Sequence, residues 1–339
     1  MGKNLVILIL TFFAALQNAS AQHNALFQTQ EVLEIDAYAD METVLTDIGE
    51  ERTWHNATLI YYEGDREVRL DAEFQSRGHF RRRPDICSFP PMRVNFKKEQ
   101  IAGTLFEGSD KVKLVTHCNT NDKSGNRNVL TEFLIYRIYN QISDVSFRVR
   151  LCRITYHDIL GTYPPVRRYA FFIEKTKNLA KRNNMVEIEP ESISHTQLDK
   201  QAFAKFSIFQ FLIGNSDWSV LLPQNIKTLT PADTSEIVPV PYDFDLSKMV
   251  APAYATKKHG FDYAENEVKI KAYCQSPEDY EPAIKEFLRK EPLIIALIEN
   301  FILMKKKERK RIVSFLQERF NDLENREIMR EKFINYCND

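Results

Sequence analysis

Phe211–Leu246 reads FLIGNSDWSVLLPQNIKTLTPADTSEIVPVPYDFDL, and its reading decides the fold. The residues that lead into it, Phe203, Phe206, Ile208, Phe209, Phe211, Leu212 and Ile213, fill several faces at helical spacing. That pattern predicts a buried helix, with Gly214 as its stop. Asp217 then falls in a tight turn. Two strand-like pieces follow, Ile226–Thr230 and Glu236–Pro241, joined by a turn at Pro231-Ala232-Asp233-Thr234. The second delivers Asp243-Phe244-Asp245. This order brings Asp217, Asn225 and Asp243 to one end of a hairpin.

Such a trio suits phosphoryl transfer. One carboxylate orients an attacking hydroxyl, while a second carboxylate and an amide oxygen hold Mg²⁺ against phosphates. A plainer reading exists for each residue: Asp217 as a turn cap, Asp243 and Asp245 as an ordinary strand end.

The layout resembles the catalytic half of the atypical protein-kinase-like superfamily, in particular the CotH-like spore-coat kinases. It is similar, more distantly, to HipA-like kinases and the secretory-pathway casein kinases. The resemblance implies an α+β, two-lobed fold with a β-rich N-terminal lobe and a mainly helical C-terminal lobe. It implies Asp217 as catalytic residue, Asn225 and Asp243 as metal ligands, and ATP and Mg²⁺ as cofactors. The step from 217 to 225 is wider than in the ordinary kinase loop, DFD stands where DFG would, and no His-Arg precedes Asp217.

Upstream, residues 26–118 read mostly as strand, with period-two alternation in Ala57–Tyr62, Val68–Phe74, Met92–Phe96 and Lys111–Val115. Arg77-Gly78-His79-Phe80-Arg81-Arg82-Arg83 interrupts them. An Arg-Gly motif holds a comparable place in CotH-like proteins, so the resemblance implies that Arg77 and Gly78 contact nucleotide. The alternative is a solvated or salt-bridged hairpin end. Kinase-like folds also need a strand lysine paired with a helix glutamate. Lys113, with Lys111 as fallback, and Glu132 on a helix over Asn128–Ile142 are the candidates. Two more strands, Phe147–Thr155 and Arg168–Ile173, lead to a hinge near Ile173–Lys175, where adenine would bond backbone groups.

The chain thus divides into an export signal (1–21), a β-rich lobe with one helix (22–175) and a helical lobe carrying the hairpin (176–339). Residues 176–200 read as a polar connector. Helices are expected at Tyr280–Lys290, Pro292–Met304 and Glu308–Leu323. The signal rests on Lys3, an apolar run of about a dozen residues from Leu5, and the cleavage-type Ala19-Ser20-Ala21. Export to the periplasm, cell surface or medium is expected, with no retained transmembrane segment.

A net charge of −1 gives no electrostatic basis for binding nucleic acid. Cys87, Cys118, Cys152, Cys274 and Cys337 make an odd count, so at least one is free or pairs between chains. No G-x-S-x-G or H-E-x-x-H motif occurs. The expected function is an exported ATP- and Mg²⁺-dependent phosphotransferase acting on protein hydroxyls. The alternatives are a pseudokinase serving as an envelope binding or assembly module, and a metal-dependent hydrolase using Asp217, Asp243 and Asp245. A protein substrate or envelope protein is the expected partner.

Overall fold

The computed structural model describes residues 24–119, 124–256, 258, 260 and 268–335. The expected export signal and Cys337 lie outside these. Among the described residues no helix is long and apolar enough to cross a membrane.

The N-terminal half is a sheet of seven strands: β1 (Leu33–Ala39), β2 (His55–Glu63), β3 (Arg66–Ser76), β4 (Met92–Phe96), β5 (Lys111–Val115), β6 (Val149–Asp158) and β7 (Val166–Ile173). Two short helices, α1 (Met41–Thr46) and α2 (Lys98–Ile101), interrupt the strands, and α3 (Gly125–Tyr139) links β5 to β6. The strand order is β1-β2-β3-β4-β5-β7-β6, and β6 returns to β1 in parallel register, Leu33 opposite Cys152 through Ala39 opposite Asp158. The expected β-rich lobe is therefore a closed barrel. The closing strand is β1, whose Leu33, Ile35, Ala37 and Ala39 alternate into the core.

The last strands serve two cores. On β7, Ala170 and Phe172 fill the barrel, whereas Phe171 and Ile173 face outward and pack with α3. That outer cluster continues into the C-terminal half through Phe203, Phe206 and Phe209 of α5 (Lys200–Ile213). Helix α3 is thus wedged between the barrel and the helical half, which fixes where its polar residues emerge.

Residues 176–200 are not a bare connector. They form α4 (Thr176–Arg182) and β8 (Met185–Ile188), and β8 adds a third strand beside β9 (Ile226–Pro231) and β10 (Val238–Pro241). A short strand, β11 (Ile270–Ala272), precedes the C-terminal helices. The helix break expected at Pro292 is also absent: α6 runs unbroken from Glu281 to Glu299. Pro292 lies on its exposed side, where a carbonyl left without an N–H partner can be met by water. α7 (Lys306–Glu324), α8 (Arg326–Lys332) and β12 (Phe333–Asn335) complete the described chain.

Cys87 and Cys118 form a disulfide with a Cα–Cα distance of 4.7 Å. Cys152 is free and buried in the barrel, and Cys274 is disulfide-bonded.

Candidate active site

Helix α5 positions the first acidic residue. Asp199 caps its start by accepting from the Ala202 N–H at 2.7 Å, and Gly214 ends it at φ 66°. A Cβ on Gly214 would lie 2.8 Å from the Lys248 Cβ and 3.1 Å from the Phe315 ring, so only glycine fits. Asn215, buried behind the turn, accepts from the Asp217 N–H at 3.1 Å, and its carbonyl accepts from the Trp218 indole at 3.1 Å. Lys271 of β11 donates to the Ser216 and Trp218 carbonyls at 3.3 and 3.2 Å and lies 4.4 Å over the Trp218 ring. Asp217 is therefore held from three sides.

The wide step to Asn225 is absorbed by a small loop. Ser219 and Gln224 exchange backbone hydrogen bonds at 3.2 and 3.0 Å, folding the chain back on Asp217. Gln224 Nε2 then donates to Asp217 Oδ1 at 2.8 Å. Asn225 Nδ2 donates to Asp217 Oδ2 and to the Asp217 carbonyl, each at 2.8 Å. On its other side, the Asn225 carbonyl accepts from the Tyr242 N–H at 3.2 Å, next to Asp243. Asn225 bridges the two acidic turns. Its φ is 51° and that of Asp243 is 63°, a backbone region that costs most residues energy but that Asn and Asp tolerate.

Among the described residues, nothing hydrogen-bonds or ion-pairs with the Asp243 carboxylate or the Asn225 Oδ1. The Asp243 N–H is anchored to the Tyr136 hydroxyl of α3 at 3.1 Å. Burial raises the Asp217 pKa, and the Asp243 charge raises it further, against Asn225, Lys271 and Gln224. Asp245, largely buried, is pushed up to about 7 by burial and then by Asp243, with Arg81 opposing. The Tyr254 hydroxyl donates to Asp245 at 3.1 Å.

The cations differ from expectation. Lys113 does approach this site, 4.3 Å over the Tyr242 ring. Burial, and secondly Arg77, lower its pKa to about 7, while Asp243 opposes. It does not pair with Glu132. Glu132 is buried on α3 and its nearest cations are Arg81 and Arg77; burial, then Asp245 and Asp243, raise its pKa well above the usual carboxylate range. The fallback, Lys111, lies over Trp54, and its strand position is exposed.

Arg77 turns inward, donating to the Tyr242 hydroxyl at 3.1 Å. The arginine run is not simply a solvated hairpin end, since Arg81 and Arg82 are buried. Arg81 donates to the Thr116 carbonyl at 2.5 Å and lies 3.9 Å from Asp245. Gly78 is exposed at φ 86°, and nothing lies near its Cβ direction. That glycine serves the turn, and no contact ties it to the carboxylates.

The expected hinge is also more committed than its sequence implied. The Glu174 N–H donates to the Arg148 carbonyl at 3.0 Å, and its buried carboxylate pairs with Arg182 at 3.1 Å. Adenine would not find that N–H available.

The structure thus gathers Asp217, Asn225 and Asp243, with Lys113, Arg77 and Glu132 around Asp243. Gln224, Tyr136, Arg81 and Lys271 are additions. Gln224 adjoins Asn225 in sequence and Arg81 belongs to the arginine run, so both carried a signal. Lys271 carried none, because its strand is short and distant in sequence.

No family model matches this sequence, and no curated protein matches it. Among solved structures it is similar to the Helicobacter pylori proinflammatory kinase CtkA. Identity is 10%, coverage is 71% of this chain and 94% of that chain, and the TM-score is 0.43. At that level no residue of one chain is equated with a residue of the other.

Proposed function

We propose that this protein is an exported, ATP- and Mg²⁺-dependent phosphotransferase acting on protein hydroxyls. The observation that carries the reading is the division of labour across Asn225. Its Nδ2 immobilises Asp217, while its Oδ1 and the Asp243 carboxylate remain available.

Two hard oxygen donors suit Mg²⁺, which usually takes one or two protein ligands and completes its shell with phosphate and water. No cluster of three or more potential metal-binding His, Cys, Asp or Glu residues occurs among the described residues. That favours a nucleotide-completed ion over the preformed cage of a metal hydrolase. When bound, Mg²⁺ supplies charge neutralisation at the transferring phosphate.

The chain's own residues do the rest. Asp217, oriented by Gln224 and Asn225, accepts the hydrogen bond of the acceptor hydroxyl and takes its proton. Its raised pKa suits a proton acceptor better than that of a free aspartate. Lys113 and Arg77 supply positive charge for the phosphates. Asp243 holds the ion.

A thermal-shift titration tests this. ATP with Mg²⁺ should raise Tm by at least a few degrees at saturation, and neither alone should do so. Asp243→Asn should abolish that shift. A metal shift that needs no nucleotide would overturn the reading.

A further inference from the structure

A cavity away from the carboxylate site shares no lining residue with it. It lies between α3 and the C-terminal end of α6, has a volume of about 410 Å³, and its walls include Phe133, Leu134, Leu151, Leu297, Phe301 and Leu303. The Phe133 and Phe301 rings stack at 6.0 Å across it. Its apolar character continues to the rim, where Leu293 is 48% exposed.

One charged residue, Arg137 in the last turn of α3, belongs to this wall. Among the described residues it makes no ion pair, hydrogen bond or ring contact. Burial pulls its guanidinium below the usual range, and no neighbouring acid offsets the effect. Arg137 is half-buried, and a cation that has lost part of its water without gaining an anion is unfavourably placed. The α3 carbonyl end favours its charge only weakly. The planar fork of a guanidinium matches the two oxygens of a carboxylate.

The walls define the remainder of the ligand. They come mostly from side chains of α3, of α6 and of the segment that follows α6, with Leu151 of β6 and Gln30 completing them. An extended peptide takes much of its affinity from main-chain hydrogen bonds along a strand edge. An acyl chain needs none. The volume falls within the range of small-molecule pockets.

We propose that this cavity binds a single-chain amphipathic carboxylate, with its head on Arg137 and its chain along Phe133, Leu297 and Phe301. This site does not depend on the phosphotransfer reading.

Calorimetry on the intact protein tests it with three probes: decanoate, decanol without the charge, and acetate without the chain. Decanoate should bind saturably at one site, decanol on the order of tenfold more weakly, and acetate not at all. Arg137→Gln should lower decanoate affinity to the decanol level, and Arg137→Lys should recover part of it. Ala296→Trp should fill the cavity and abolish binding, with circular dichroism reporting whether each variant is folded. If a variant does not fold, the comparison of decanoate with decanol on the unmodified protein still decides. Equal affinity for those two probes overturns the proposal, as does no decanoate binding. Undiminished binding by folded Ala296→Trp, or preference for an apolar peptide with a free carboxyl terminus, also overturns it.

Discussion

Asn225 Nδ2 donates at 2.8 Å to both the side chain and the carbonyl of Asp217, so one amide fixes the carboxylate and the turn that carries it. Asn225→Ala should therefore act twice, releasing Asp217 and removing a proposed metal ligand. We expect weaker Mg²⁺–ATP binding together with lower turnover. Asp217→Asn should separate the two effects: ATP binding nearly unchanged, turnover down ~10²–10⁴-fold. Equal loss of nucleotide affinity in Asp217→Asn and Asp243→Asn would assign Asp217 to ligation or structure. Binding titrations and phosphate-transfer rates on the same preparations distinguish these outcomes.

Lys113 predicts a pH dependence with two opposite signs. Its folded pKa lies near 7, against an ordinary 10.5 for a solvated lysine. Between those values the unfolded chain holds a proton that the folded chain lacks, so unliganded stability should rise with pH across that window. ATP affinity should fall over the same window, by up to about tenfold per pH unit, because phosphates favour the protonated amine. Lys113→Met should flatten both trends. Denaturant melts and ATP titrations at several pH values check them.

His117 predicts acid sensitivity. It is buried against Phe89 at 4.2 Å, with neither ring nitrogen hydrogen-bonded. Burial lowers its pKa from 6.5 to about 3. The unfolded state therefore takes up a proton first, and stability should fall as pH drops through 6.5 towards 3. His117→Phe should remove that dependence, worth at most about 4 kcal/mol near pH 3. Melting temperatures from pH 3 to 8 would show the two curves diverging towards acid. Parallel curves would exclude His117 as the cause.

Gly214→Ala should destabilise the fold by about 2 kcal/mol or more, since it combines left-handed backbone strain with a contact at 2.8 Å to Lys248. Activity should fall with stability, because Lys248 N–H also donates to the Gly214 carbonyl and ties the segment after Asp245 to the turn before Asp217. Chemical denaturation with transfer rates measured below the melting range checks both.

Much of the hairpin was readable in advance because its signals are local. Period-two alternation gave the bounds of β4 and β5, and glycine after an apolar run marked the end of α5. The order of Asp217, Asn225 and Asp243 along those elements then placed them together. Barrel closure was not readable, since it depends on β1 meeting a strand far along the chain. The Lys113–Glu132 pair failed for a related reason. Spacing located a buried glutamate and an inward lysine, but not Arg81, which arrives from a turn between β3 and β4 and stands beside Glu132. Pro292 misled because its exposed side of α6 tolerates a missing hydrogen bond.

The parallel seam between β1 and β6 also sets an order of events during synthesis. Among the described strands β1 leaves the ribosome first, yet its partner on one side is made only after β2 to β5 and α3. Until then β1 keeps one edge open, and the paired sheet ends in unbonded amides and carbonyls at both sides. Parallel contacts between distant segments form slowly, because the intervening chain must first be ordered. A nascent chain that stops short of β6 would therefore carry an adhesive strand edge and half a core, the kind of intermediate that aggregates or is held by chaperones. Whatever delays the seam delays the whole N-terminal half, so β1, remote in sequence from Asp243, governs how soon Lys113 and Arg77 can face it.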